Sequence, residues 1–150
     1  MSGDRFMWTL FCDDVRQEAG GKLAYMGIYG IDLLVPNYPA HLLKLCAVMT
    51  VRTMATRPPK SVIFKLLRDE ELIYEHAIDP TALENVAAAV PKDDAKNRHI
   101  TLGAVAQLVN VTITERSVIK ARAVVDGEEL PGGTLELGAL EVFSPPTREK

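Results

Sequence analysis

Apolar residues recur along this chain mostly with a period of two. Leu43, Leu45, Ala47, Met49 and Val51 alternate with Lys44, Cys46, Val48, Thr50 and Arg52, the pattern of a strand with one buried face. Val62, Phe64 and Leu66 repeat it, and Leu72, Tyr74 and Ile78 supply the apolar side of a hairpin partner across an Asp69-Glu70 turn. His99 to Gly103 reads as a short strand. Val109, Val111 and Ile113 point inward, with Asn110, Thr112 and Thr114 outward. Ser117 to Val125 continues the series up to a strong Asp126-Gly127 turn. After a break at Pro131-Gly132-Gly133, Thr134 to Val142 makes the last strand.

The opening ribbon is read the same way. Residues 6–12 and 22–35 are predicted strands around Gly20-Gly21, a two-residue turn that requires positive φ at both positions. That turn pairs Trp8 with Leu33, Leu10 with Ile31, Cys12 with Tyr29, Asp14 with Gly27 and Arg16 with Tyr25. The apolar end anchors the ribbon, and the charged end lies near the turn. Prolines 36 and 39 make 35–40 a loop. One segment breaks the strand pattern. Asp79-Pro80-Thr81 starts a helix, residues 82–90 favour it and Pro91 stops it. Residues 92–97 form a solvated loop, and 144–150 a frayed tail.

Eight or nine short strands with one short helix in a crossover loop predict an all-β fold. The expected form is an antiparallel β-sandwich of immunoglobulin-like or C2-like shape, with a closed barrel as the alternative. At 150 residues the chain is one domain, with an ordered core over about 5–143.

Composition narrows the function. Hydrophobic residues make up 47% and charged residues 25%, so a packed core is expected. Seventeen basic against 20 acidic residues leave a net charge of −3, which argues against a nucleic-acid surface. The first residues carry an acid early and the apolar run 6–12 is short, so no secretory signal is predicted. No stretch reaches the roughly 20 apolar residues of a membrane helix. With two cysteines, Cys12 and Cys46, reduced thiols in a cytoplasm are expected, although both lie on strands that can be neighbours.

The candidate chemistry is sparse. Asp13, Asp14, Arg16 and Glu18 form a compact polar cluster, and its carboxylates give one route to metal-assisted hydrolysis. The competing reading, an exposed hairpin end with internal ion pairs, is preferred, because calcium takes six or more oxygens and no calcium-binding loop is present. No metal and no cofactor are expected. His41, His76 and His99 have no metal-pair spacing, and His76 is read as half-buried. There is no nucleophile elbow and no phosphate loop. The aspartates beside Cys12 disfavour its thiolate, while Lys44 and Arg52 place Cys46 in a kinder field. Arg52, Arg57 and Lys60 head a basic run able to meet an anionic partner.

Over residues 11–30 the chain resembles an uncharacterised family of small bacterial and phage proteins. Its marks are the Phe-Cys-Asp-Asp-x-Arg-x-Glu ribbon at 11–18, Gly20-Gly21-Lys22, Leu45-Cys46 and Asp126-Gly127-Glu128. The resemblance implies a β-sandwich of microbial or viral origin and implies no activity. The expected function is a non-enzymatic interaction protein with a protein partner. If the chain is phage-encoded, it would bind and block a host macromolecule. A self-assembling structural protein, a homo-oligomer, is the further alternative.

Overall fold

A computed structural model describes residues 4–140. The predicted tail 144–150 and the end of the predicted last strand, 141–142, lie outside the described residues. Nine strands and one α-helix follow one another: β1 (Phe6–Gln17), β2 (Leu23–Ile28), β3 (Asp32–Val35), β4 (Ala40–Met54), β5 (Val62–Arg68), β6 (Glu71–Ala77), α1 (Pro80–Ala88), β7 (His99–Ile113), β8 (Ser117–Val125) and β9 (Glu128–Ala139). A four-stranded sheet of order β2-β1-β4-β7 faces a five-stranded sheet of order β3-β9-β8-β5-β6. The sheets share no strand, so the fold is an all-β sandwich with one short helix and not a closed barrel.

The core is built by the alternation seen in the sequence. Val62, Phe64 and Leu66 of β5, and Ile119, Ala121, Ala123 and Val125 of β8, are buried against Leu45, Ala47, Met49 and Val51 of β4. Each large aliphatic side chain so placed contributes about 1.5–3 kcal/mol relative to leaving it in water. Helix α1 forms where expected. Pro80 begins it, the Asp79 carboxylate accepts a 2.8 Å bond from the Thr81 amide, and Leu83 anchors it to the core. Residues 95–97, within the predicted loop, make a short 3₁₀ turn.

Five expectations are corrected. Residues 22–35 are not one strand: β2 ends at Ile28, and β3 joins the opposite sheet, running parallel to β9. The predicted strands 99–103 and 109–114 are parts of the single long β7. The break at 131–133 is a bulge inside β9, where the register to β8 shifts and Gly132 leaves room for the Met7 side chain. Leu43 and Val109, expected in the core, are 78% and 64% exposed. Asn110 takes φ +54° beside them, and the alternation changes phase there, so that Leu42 and Val111 turn inward instead. Leu72 and His76 are exposed rather than packed.

Candidate functional site

The ribbon turn differs from expectation by one residue. The Glu18 amide donates to the Lys22 carbonyl at 2.7 Å, closing a loop of Ala19, Gly20 and Gly21. Both glycines take positive φ, +85° and +81°, as the sequence requires. The extra loop residue slides the register, so Cys12 faces Ile28, Asp14 faces Met26, Val15 faces Tyr25 and Arg16 faces Ala24. The expected pairs Asp14–Gly27 and Arg16–Tyr25 are not formed, because a one-residue slip exchanges the faces of a strand. The space left by Gly27, at φ +68°, is filled by the Asp13 carboxylate instead.

The acidic cluster is paired within the chain. Asp14 accepts from Lys44 Nζ at 2.5 Å, from Arg16 Nε at 3.2 Å and from the Val15 amide at 3.0 Å. The Lys44 ammonium, and then the Arg16 guanidinium, hold its carboxyl below the usual range. Asp14 in turn raises the Lys44 ammonium above its usual value. Asp13 accepts from the Tyr29 hydroxyl. Burial, and then that contact, push the Tyr29 phenol up to about 12. Glu18 stays exposed at the turn. Among the described residues no three His, Cys, Asp or Glu side chains are placed to hold a metal ion.

The basic residues lie elsewhere. Arg52 is eight residues along β4 from Lys44, about 27 Å at strand rise. It is half-buried opposite Phe6 and Thr101, and its Nε is buried without a partner. Arg57 reaches Asp4 at 3.5 Å and Glu128 at 4.0 Å. Lys60 lines a cleft of about 330 Å³ with Pro58, Pro59, Pro80, Leu83 and Glu84. The structure therefore separates the acidic candidates from Arg52, Arg57 and Lys60 instead of uniting them.

Cys12 and Cys46 are brought directly opposite each other, fully buried as free thiols. With Val48, Leu10 and Val15 they make a second, smaller apolar cluster. Burial raises both thiols above their usual value. At Cys46 the opposing pull of Lys44 loses to burial, so the kinder field does not make it reactive.

Two features escaped the sequence reading. The first is Arg5, only 4% exposed. It donates to Thr53 Oγ1 at 3.1 Å and to the Arg57 carbonyl at 3.0 Å, and pairs with Asp126 at 2.9 Å. Asp126 also accepts from the Lys60 and Ser61 amides. Burial alone would raise the Asp126 carboxyl, but these donors outweigh it and hold it below the usual range. The second is an apolar outer face on the four-stranded sheet. Met7 and Phe11 of β1 point into the core, which turns Phe6 and Trp8 outward, 47% and 39% exposed, with ring centroids 5.5 Å apart. Trp8 sits opposite Thr50. Thr50 lines a groove of about 310 Å³ with Leu23, Tyr25, Val48, Gly103 and Val105. The signal was present: Phe6, Trp8, Leu10 and Cys12 are as apolar as the alternate positions, so both faces of this strand needed cover.

Comparison with protein-family models and with curated proteins finds no match for the chain. No helix among the described residues is long and apolar enough to cross a membrane.

Proposed function

We propose that this protein acts by binding another protein, without catalysis, through the outer face of its four-stranded sheet. The observation that carries this reading is the Phe6–Trp8 pair, held on a regular strand yet left about half in water beside the apolar groove. Contiguous exposed apolar surface is unfavourable for a free protein and marks interaction sites. Trp, Tyr and Arg dominate the energetics of such sites, and Trp8, Tyr25 and Arg52 lie on or beside this face. The groove suits an aliphatic or aromatic side chain of the partner, and the Arg52 guanidinium suits a carboxylate or carbonyl at its margin.

The free, mutually facing Cys12 and Cys46 suit a reducing cytoplasm. The resemblance at residues 11–30 favours a phage-encoded protein that blocks a host component, and the identity of the neighbouring genes tests that version. Metal-assisted hydrolysis by Asp13, Asp14 and Glu18 gains no support from the geometry, since Lys44, Arg16 and Tyr29 already engage two of the three carboxylates.

The test is affinity capture from a host lysate with the wild-type chain and with Phe6→Ser/Trp8→Ser. The reading expects a protein retained by wild type and lost by the variant, with an unchanged fold by circular dichroism. A partner retained equally by both chains would sink the proposed face.

A further inference from the structure

The four-stranded sheet ends in a long strand that carries little of the usual protection against pairing. Strand β7 runs 15 residues, bonds to β4 on one side and, among the described residues, has no strand on the other. None of the backbone hydrogen bonds outside the strand ladders involves residues 99–113, among the described residues. From Ile100 to Thr114 the sequence holds no charge and no proline. The other three edges are managed. Strand β3 has four residues and is followed by Pro36, β2 has six with Gly27 at positive φ, and β6 carries Glu71 and Glu75. Short edges, charges and irregular backbone are the devices that stop strands from adding on. β7 lacks the first two, and its one irregularity, Asn110, leaves 100–109 regular.

We infer that β7 pairs antiparallel with β7 of a second copy of this chain, joining two four-stranded sheets into one of eight. The occupant follows from charge. A two-fold axis sets each residue of β7 against another from the same uncharged run, so a chain of net charge −3 meets no like charge along the seam. A regular run of ten residues offers about 34 Å of unpaired backbone. Val105 and Val109, 38% and 64% exposed, lie along it and gain cover in the pairing. The Phe6–Trp8 pair is on β1, two strands away, and stays exposed in the pairing. Val105 also lines the groove beside it, so the dimer mass, which reads the pairing whether or not that groove holds a partner, keeps the two apart.

Sedimentation equilibrium of the whole chain, from micromolar to sub-millimolar concentration, tests it together with amide hydrogen exchange. The dimer mass, twice 16.5 kDa, is expected for wild type, and the monomer mass for Val105→Lys/Val109→Lys at the same concentrations. Leu72→Lys, on the β6 edge, should remain a dimer. In the wild type, amides of 100–109 should gain protection as concentration rises, a readout that does not depend on any variant folding. A wild-type monomer throughout, a dimer that survives the double lysine variant, or concentration-independent exchange at 100–109 would each overturn the inference.

Discussion

Asp126 shows how much one side chain can organise. It sits at φ +50° in the Asp126-Gly127 turn, caps two amides of the neighbouring 60–61 segment and neutralises Arg5. Asn tolerates the same left-handed backbone and still accepts from the amides, so Asp126→Asn isolates the charge. The variant should lose roughly 1–3 kcal/mol at neutral pH, because a buried guanidinium is left without its counter-charge. The folded-state carboxyl lies below its usual value, so this contribution is complete above the ordinary carboxylate range and fades as pH falls through the folded value. Urea midpoints of the two chains should therefore differ at neutral pH and converge once the pH falls below the ordinary carboxylate range. A gap that is constant with pH would contradict the assignment. Gly27 tests a second contact. Gly27→Ala places a methyl group on the Asp13 carboxylate and strains a positive φ, and should cost roughly 1–3 kcal/mol. In an Asp13→Ala background the clash with the carboxylate is gone, and the backbone strain and a tight 3.2 Å contact with the residue-13 Cβ remain, about 1 kcal/mol. Equal costs in both backgrounds would mean that Asp13 does not fill that space.

At the scale of elements, local signals were legible and distant ones were not. Helix α1 was readable because both ends are written locally, Asp79-Pro80 at the start and Pro91 just beyond. Strands β5 and β8 were readable because each buries one face, so alternation is enforced. The register of β1 and β2 was not, because it depends on whether the loop between them holds two residues or three. The parallel partner of β3 lies a hundred residues away on β9, and no local pattern encodes it. Phe6 and Trp8 were read as anchors because hydrophobicity reports what avoids water, not which face has a second sheet to pack on. The glycine requirement itself is local. Gly20→Val with Gly21→Val meets no steric neighbour, and should still cost roughly 1–4 kcal/mol through two strained backbones. Equilibrium urea unfolding reads this directly, and an unchanged midpoint would show that the loop relaxes freely.

For the whole molecule, the sandwich buries one face of each sheet and leaves two unequal exteriors. The outer side of the four-stranded sheet carries Phe6 and Trp8, the groove lined by Tyr25, and the half-buried cation Arg52. The charged ribbon end, where Asp13, Asp14 and Arg16 are already engaged, borders this surface, because Leu23 and Tyr25, paired with Gln17 and Val15, line the groove. Exposed charge pairs contribute more to approach and orientation than to affinity, whereas desolvated aromatic anchors carry most of the binding. Binding through this face thus depends on Trp8. Site-specific photo-crosslinking places a benzophenone side chain at Trp8 and, as a reference, at Leu72, an exposed apolar position on the opposite sheet. After irradiation in cells that make the chain, one discrete protein adduct is expected from position 8 and none from position 72. No adduct from position 8, or the same adduct from both positions, would contradict it.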